Sequence, residues 1–136
     1  MKTIAENTTL IKEKALELGF SDCDISKAEF LGKDAEILDK WISSGYHANM
    51  SWMANNLEKR KDPSKLVPEA KTVISVLLNY YNPQLQEDSE APVISRYAYG
   101  RDYHKVMKKK LKSLFSFINE LLPEVAGRAF VDSAPV

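Results

Sequence analysis

Two periods of apolar residues run through this chain, one helical and one of strand type. Ile4, Thr8, Ile11, Ala15 and Leu18 recur at helical spacing and predict a helix over residues 4–18. Thr3 and Glu6 frame its start as a capping box, in which hydroxyl and carboxylate satisfy free backbone N–H groups. Gly19 stands where a left-handed residue ends a helix. From Phe20 to Ser26, Cys23 and Ile25 alternate with Asp22 and Asp24, the pattern of a half-buried strand.

A second helix is predicted over residues 33–44, with Ile37, Leu38, Trp41 and Ile42 on one side and Gly45 after it. A shorter one is predicted over residues 51–59, where Met50, Met53 and Leu57 share a face. Asp62-Pro63 stops it, because proline pushes the preceding residue out of helical geometry. Residues 72–80 are apolar on both faces through Val73, Ile74, Val76, Leu77 and Leu78, which predicts a strand covered on both sides. Asn82-Pro83 ends it, and residues 84–90 are polar and acidic, a loop.

Residues 101–122 form the longest pattern, an amphipathic helix with Met107, Leu111, Leu114, Phe115, Ile118 and Leu122 on its buried stripe. Pro123 and Gly127 break it, and residues 128–132 read as a further strand. Interleaved helices and strands predict an α/β fold, helices packed on a mixed or antiparallel sheet, in a single-domain fragment. The last strand runs into Ser133-Ala134-Pro135-Val136 with no polar tail, so the chain is expected to be a piece of a longer protein.

Composition adds little to this picture. The 136 residues are 44% hydrophobic and 28% charged, ordinary for a globular domain. The longest apolar run is too short to cross a bilayer, and no membrane association is expected. The N-terminus lacks the apolar core of a signal peptide. Cys23 is the one cysteine, which excludes an intramolecular disulfide and suits a reducing, cytoplasmic setting. The net charge is zero, but residues 1–90 carry 11 basic against 15 acidic groups and residues 91–136 carry 8 against 4. That asymmetry permits an anionic partner for the basic part.

Metal and phosphate-loop chemistry are not written in these residues. His47 and His104 lie far apart, no CxxC or HExxH pattern occurs, and the five glycines are isolated. Three segments carry other chemistry. Residues 45–53, continuing to Arg60-Lys61-Asp62-Pro63, are dense in aromatic, Met and His side chains and would suit a flat apolar cofactor, but on the residues alone core packing of Trp52 and Met53 with a surface His47 is the favoured reading. Ser95-Arg96-Tyr97-Ala98-Tyr99-Gly100-Arg101-Asp102-Tyr103-His104 sets three tyrosines, two arginines, an Asp and a His in ten residues before a helix. Arg pairs anions and Tyr stacks rings, while Asp102 beside a helix start is also an ordinary cap. Asp132, at the end of an apolar strand, is on the residues alone a turn or cap residue first, and a partly desolvated carboxyl with a raised pKa able to donate a proton second. Lys105, Lys108, Lys109 and Lys112 line the polar side of the long helix; a solvated face is the common explanation, and neutralisation of nucleic-acid phosphates the functional one.

Met50-Ser51-Trp52-Met53, Arg60-Lys61-Asp62-Pro63, Leu66 to Ile74, Ser95-Arg96-Tyr97-Ala98, Gly100, Asp102-Tyr103-His104 and Arg128 to Val136 come in an order and spacing that resembles the N-terminal part of epoxyqueuosine reductases. Each motif alone is weak; the ordered set spans nearly the whole chain. The resemblance implies a cytoplasmic oxidoreductase of queuosine biosynthesis and tRNA processing. Such an enzyme reduces the epoxide of epoxyqueuosine in tRNA, using cobalamin and [4Fe-4S] clusters whose cysteine ligands lie outside this sequence. By the same resemblance Asp132 is the proton donor, and Arg60, Ser95, Tyr97, Asp102 and His104 border the cobalamin. The partner implied is tRNA carrying epoxyqueuosine, and this part alone is expected to be inactive. Two readings compete: a stand-alone tRNA- or protein-binding module using the lysine face, and a related iron–sulfur reductase with another substrate. The zero net charge speaks against a dedicated nucleic-acid binder.

Overall fold

A computed structural model describes residues 2–131, and the proposed donor Asp132 lies outside them. Among the described residues, five α-helices and two strands follow in the order α1 (Ile4–Glu17), β1 (Asp22–Lys27), α2 (Gly32–Ser43), α3 (Leu57–Lys61), α4 (Pro63–Leu66), β2 (Thr72–Leu77) and α5 (Tyr103–Leu121). Single 3-10 turns stand at Ser51–Ala54 and Arg96–Ala98. β1 and β2 form a two-stranded sheet. Ser21 N–H donates to the Leu77 carbonyl at 2.8 Å and Ala28 N–H to that of Lys71 at 3.0 Å, so the strands are antiparallel. The fold class is therefore α/β with an antiparallel sheet.

The chain forms two compact units, one from residues 2–24 and 75–131, the other from residues 25–74. In the first, α1 packs on α5. Thr3 accepts from the Glu6 N–H at 3.2 Å while its own N–H donates to the Glu6 carboxylate at 2.6 Å, the expected capping box. Gly19 turns the chain at φ +87°, and a Cβ there would stand 2.8 Å from the Lys110 Nζ. That ammonium donates to the Leu18 carbonyl, which closes the end of α1 onto α5. Ile11, Ala15, Phe20, Cys23, Leu114, Ile118 and Val131 are buried in this unit. Burying such side chains stabilises by roughly 1.5–3 kcal/mol each for the larger ones. Cys23 faces the core as the alternation predicted, and desolvation pushes its thiol pKa up.

In the second unit the Lys61 ammonium meets the Asp39 carboxylate of α2 at 2.6 Å, and the Lys61 carbonyl accepts from Leu31 N–H at 2.8 Å. These two contacts tie α3 to the start of α2 and to its middle. Asp62 ends α3 in extended geometry and caps α4, accepting from Ser64 N–H at 2.9 Å. The stop at Asp62-Pro63 is thus as expected.

Four expectations are corrected. Residues 51–59 do not form one helix: Asn56, at φ +54°, breaks the run between the 3-10 turn and α3. β2 is not covered on both sides, since Thr72, Ser75 and Leu77 are exposed, Leu77 at 62%. Of the strand expected over residues 128–132, residues 128–131 are described and are not in strand conformation, although Val131 is buried. In α2 the buried residue is Ala35, while Ile37 from the predicted stripe is 66% exposed.

Candidate functional site

The segment between β2 and α5 is built by side chains that replace a backbone ladder. Asn79 accepts from Tyr81 N–H at 2.9 Å, Asn82 from Gln84 N–H at 3.0 Å and Asp88 from Glu90 N–H at 2.9 Å. Each is a local turn in which a short polar side chain bonds a backbone group two residues on. Arg96 then closes the segment. Its guanidinium donates to the Asn82 carbonyl at 2.7 Å and lies over the Tyr81 ring, 5.1 Å from the centroid. Tyr81 was not singled out in the sequence, because only the fold brings it to Arg96.

Beyond Arg96 the polar-aromatic cluster becomes a chain of contacts. The Tyr97 ring meets Tyr103 edge-on at 6.3 Å, and Tyr103 stacks on His104 at 4.0 Å. Asp102 caps α5, accepting from the His104 N–H at 3.0 Å and pairing with its Nδ1 at 2.9 Å. The hydrogen bond from the His104 side chain, then that from its backbone, holds the Asp102 carboxyl below the usual carboxylate range. Of the expected site residues, Tyr97, Asp102 and His104 are therefore brought together through Tyr103.

Ser95 is exposed at the start of the 3-10 turn and makes no cap there. It lines an open depression of about 540 Å³ together with Gln84, Leu85, Val93, Arg96 and Tyr99. Tyr97 lines a smaller concavity of about 160 Å³ with Tyr80, Tyr99, Arg101, Tyr103 and Met107. The structure so divides Ser95 and Tyr97 between two hollows that share Tyr99. Arg101 is a wall residue of the second, and its place in the dense cluster was the signal for it.

Arg60 belongs to the other unit. Its Nε donates to the Asn55 carbonyl at 3.0 Å and its Nη2 to that of Trp52 at 3.4 Å. The guanidinium thus holds the 3-10 turn at Ser51–Ala54, leaving Tyr46, Met50 and Trp52 exposed nearby in sequence. His47 packs beside Trp41 with ring centroids 5.9 Å apart, and its buried Nδ1 has no hydrogen-bond partner among the described residues.

Two cofactor classes can be weighed against this geometry. Among the described residues no three His, Cys, Asp or Glu side chains converge to hold a metal, and the thiol of Cys23 is buried. The residues present do not fit an iron–sulfur cluster, which needs several thiolates. The Tyr97 concavity has the aromatic lining and single guanidinium that suit one wall of a flat, amide-rimmed ring. At about 160 Å³ it falls short of the roughly 300–1,000 Å³ of a closed ligand pocket. No helix among the described residues is long and apolar enough to cross a membrane.

The family described as "Epoxyqueuosine reductase QueG, DUF1730" matches residues 60–133, more than half of the chain. The chain belongs to the epoxyqueuosine reductase family. It is similar to the epoxyqueuosine reductase of Cellulophaga algicola, 52% identical over 136 residues, which are 100% of this chain and 44% of that protein. The chain therefore spans less than half the length of this relative. It is also similar to the structure of epoxyqueuosine reductase from Streptococcus thermophilus, with TM-score 0.73 and 28% identity, over 85% of this chain and 32% of that one. A crystal structure of epoxyqueuosine reductase with a tRNA-Tyr epoxyqueuosine-modified tRNA stem loop shares the fold, with TM-score 0.78 and 22% identity over 98% of this chain and 36% of that one.

Proposed function

We propose that this chain is the N-terminal share of an epoxyqueuosine reductase, a cytoplasmic oxidoreductase that reduces the epoxide of epoxyqueuosine in tRNA to queuosine. The observation that carries this reading is the end-to-end likeness to a reductase of that name, 52% identical over the whole chain. When bound, cobalamin supplies the reducing nucleophile and [4Fe-4S] clusters supply its electrons. The cluster ligands belong to the part of the relatives that this chain does not span.

This chain's own contribution is binding, orientation and proton supply. Tyr97 offers a ring face, with Asp102 and His104 fixing the helix start behind it. Arg60 and Ser95 are proposed to border the cobalamin as well. Asp132 is the proposed proton donor, because removal of an epoxide oxygen as water consumes protons as well as electrons.

The test is turnover. The full-length protein, given reductant, cobalamin and tRNA carrying epoxyqueuosine, is expected to convert the modified nucleoside to one lighter by one oxygen, read by mass spectrometry. Asp132→Asn is expected to lower the rate by about 10²-fold or more, the usual scale of positioned proton transfer. The 136-residue chain alone is expected to show no turnover. Unchanged epoxyqueuosine with the loaded full-length protein, or full activity of Asp132→Asn, overturns the reading or the donor respectively.

A further inference from the structure

The charge on α5 is placed against the helix's own electrostatics. Lys105, Lys108, Lys109 and Lys112 are exposed and fall within about 100° of arc and about 10 Å of axis, opposite buried Leu114 and Ile118. None makes an ion pair among the described residues. Lys105 and Lys109, and Lys108 and Lys112, stand four residues apart, the spacing at which like charges on a helix repel.

Lys105 sits in the first turn of α5, at the positive end of its dipole, while the last turn carries no basic residue. Other exposed helix faces of this chain mix their signs. α1 does so, with Lys14 bridged to Glu17 at 3.0 Å. α2 does so too, with Lys33 and Lys40 among Asp34, Glu36 and Asp39. The face of α5 thus carries a cost that an anionic partner removes.

We propose that this face of α5 is a docking surface for the phosphate backbone of a tRNA stem. The proposal rests on the tRNA reading above for its choice of polyanion, but its geometry stands on α5 alone. Phosphates spaced along a strand match lysines that repeat every helical turn, and each neutralised phosphate releases counterions, making the affinity depend steeply on salt.

The experiment follows binding of a fluorescent anticodon stem-loop RNA to the 136-residue chain by anisotropy across a salt series. Reversal of Lys105, Lys108 and Lys112 to Glu is expected to weaken binding at least about tenfold at low salt and to reduce the log–log salt slope by about 2–3. Reversal of the exposed Lys33, Lys40 and Lys65 changes net charge equally and is expected to leave binding within about twofold. Circular dichroism reports folding, and the first variant is expected to melt no lower than the parent, since Lys105→Glu puts acid in the first turn and the reversals relieve like-charge pairs four residues apart. If it unfolds, Lys105→Gln with Lys112→Gln is used instead, with a smaller loss expected in the same direction.

Equal losses in the two reversals, no loss in the first, or capture of phosphatidylserine vesicles without RNA binding overturns the proposal. The reductase reading fails separately: full-length protein that loses RNA binding on reversal yet never reduces epoxyqueuosine leaves the face standing and removes the reading. Turnover with unaltered RNA affinity in the reversal variant does the opposite.

Discussion

The Arg96 guanidinium reaches back across fourteen residues to the Asn82 carbonyl, at 2.7 Å, while covering the Tyr81 ring. One side chain thus satisfies a carbonyl and shields an aromatic face in a segment with no ladder of its own. Arg96→Ala is expected to speed amide hydrogen exchange and proteolysis between residues 84 and 94. Global stability should shift by no more than about 1 kcal/mol, because the bond is peripheral to the core. Arg96→Lys should restore protection only in part, since an ammonium cannot both donate in that plane and stack. Unchanged exchange in Arg96→Ala would show that the local turns at Asn79, Asn82 and Asp88 suffice.

Leu114 and Ile37 both occupy apolar stripe positions in the sequence, yet one is 3% exposed and the other 66%. Leu114→Ala is expected to cost about 2–5 kcal/mol in urea unfolding, the sum of lost transfer energy and the cavity left behind. Ile37→Ala is expected to stay within about 0.5 kcal/mol of the parent. Similar losses in both would mean that the helical stripe of α2 is buried after all.

Asp102 gives the start of α5 a pH dependence with a definite sign. Its carboxyl is held below the ordinary value of about 3.9 by the hydrogen bonds with His104, so the folded state favours the ionised form. The stabilisation is complete above the ordinary value and disappears as pH falls through the lower folded one. Asp102→Asn keeps a capping side chain but no charge. The melting-temperature gap between parent and variant should therefore be constant from about pH 5 to 7 and close below about pH 4. A gap that persists undiminished at pH 2 would rule out this origin.

Short-range rules made much of the fold legible. The capping box at Thr3 and Glu6, the left-handed Gly19, the alternation around Cys23 and the stop at Asp62-Pro63 each involve a few neighbouring residues, and each stands in the structure. The stripe of α5 was equally plain, with Leu114 and Ile118 at its centre. The ordered motifs also pointed to the family. The candidate site was legible only as a cluster: its residues were visible together, but not the division of Ser95 from Tyr97 between two hollows.

What the sequence determined by itself is whatever depends on backbone groups and side chains within about one helical turn. Tertiary structure decided the rest. An apolar run such as Val73 to Leu78 states that its side chains avoid water, not which of them a neighbour covers, so Leu77 could emerge exposed. The helix expected over residues 51–59 is broken where Asn56 turns left-handed, and Arg60 donates across the break to the carbonyls of Trp52 and Asn55. The pairing of Arg96 with Asn82 and Tyr81 likewise needed the chain to return on itself, since a hydrogen bond and a ring contact are made through space between residues that no local pattern links.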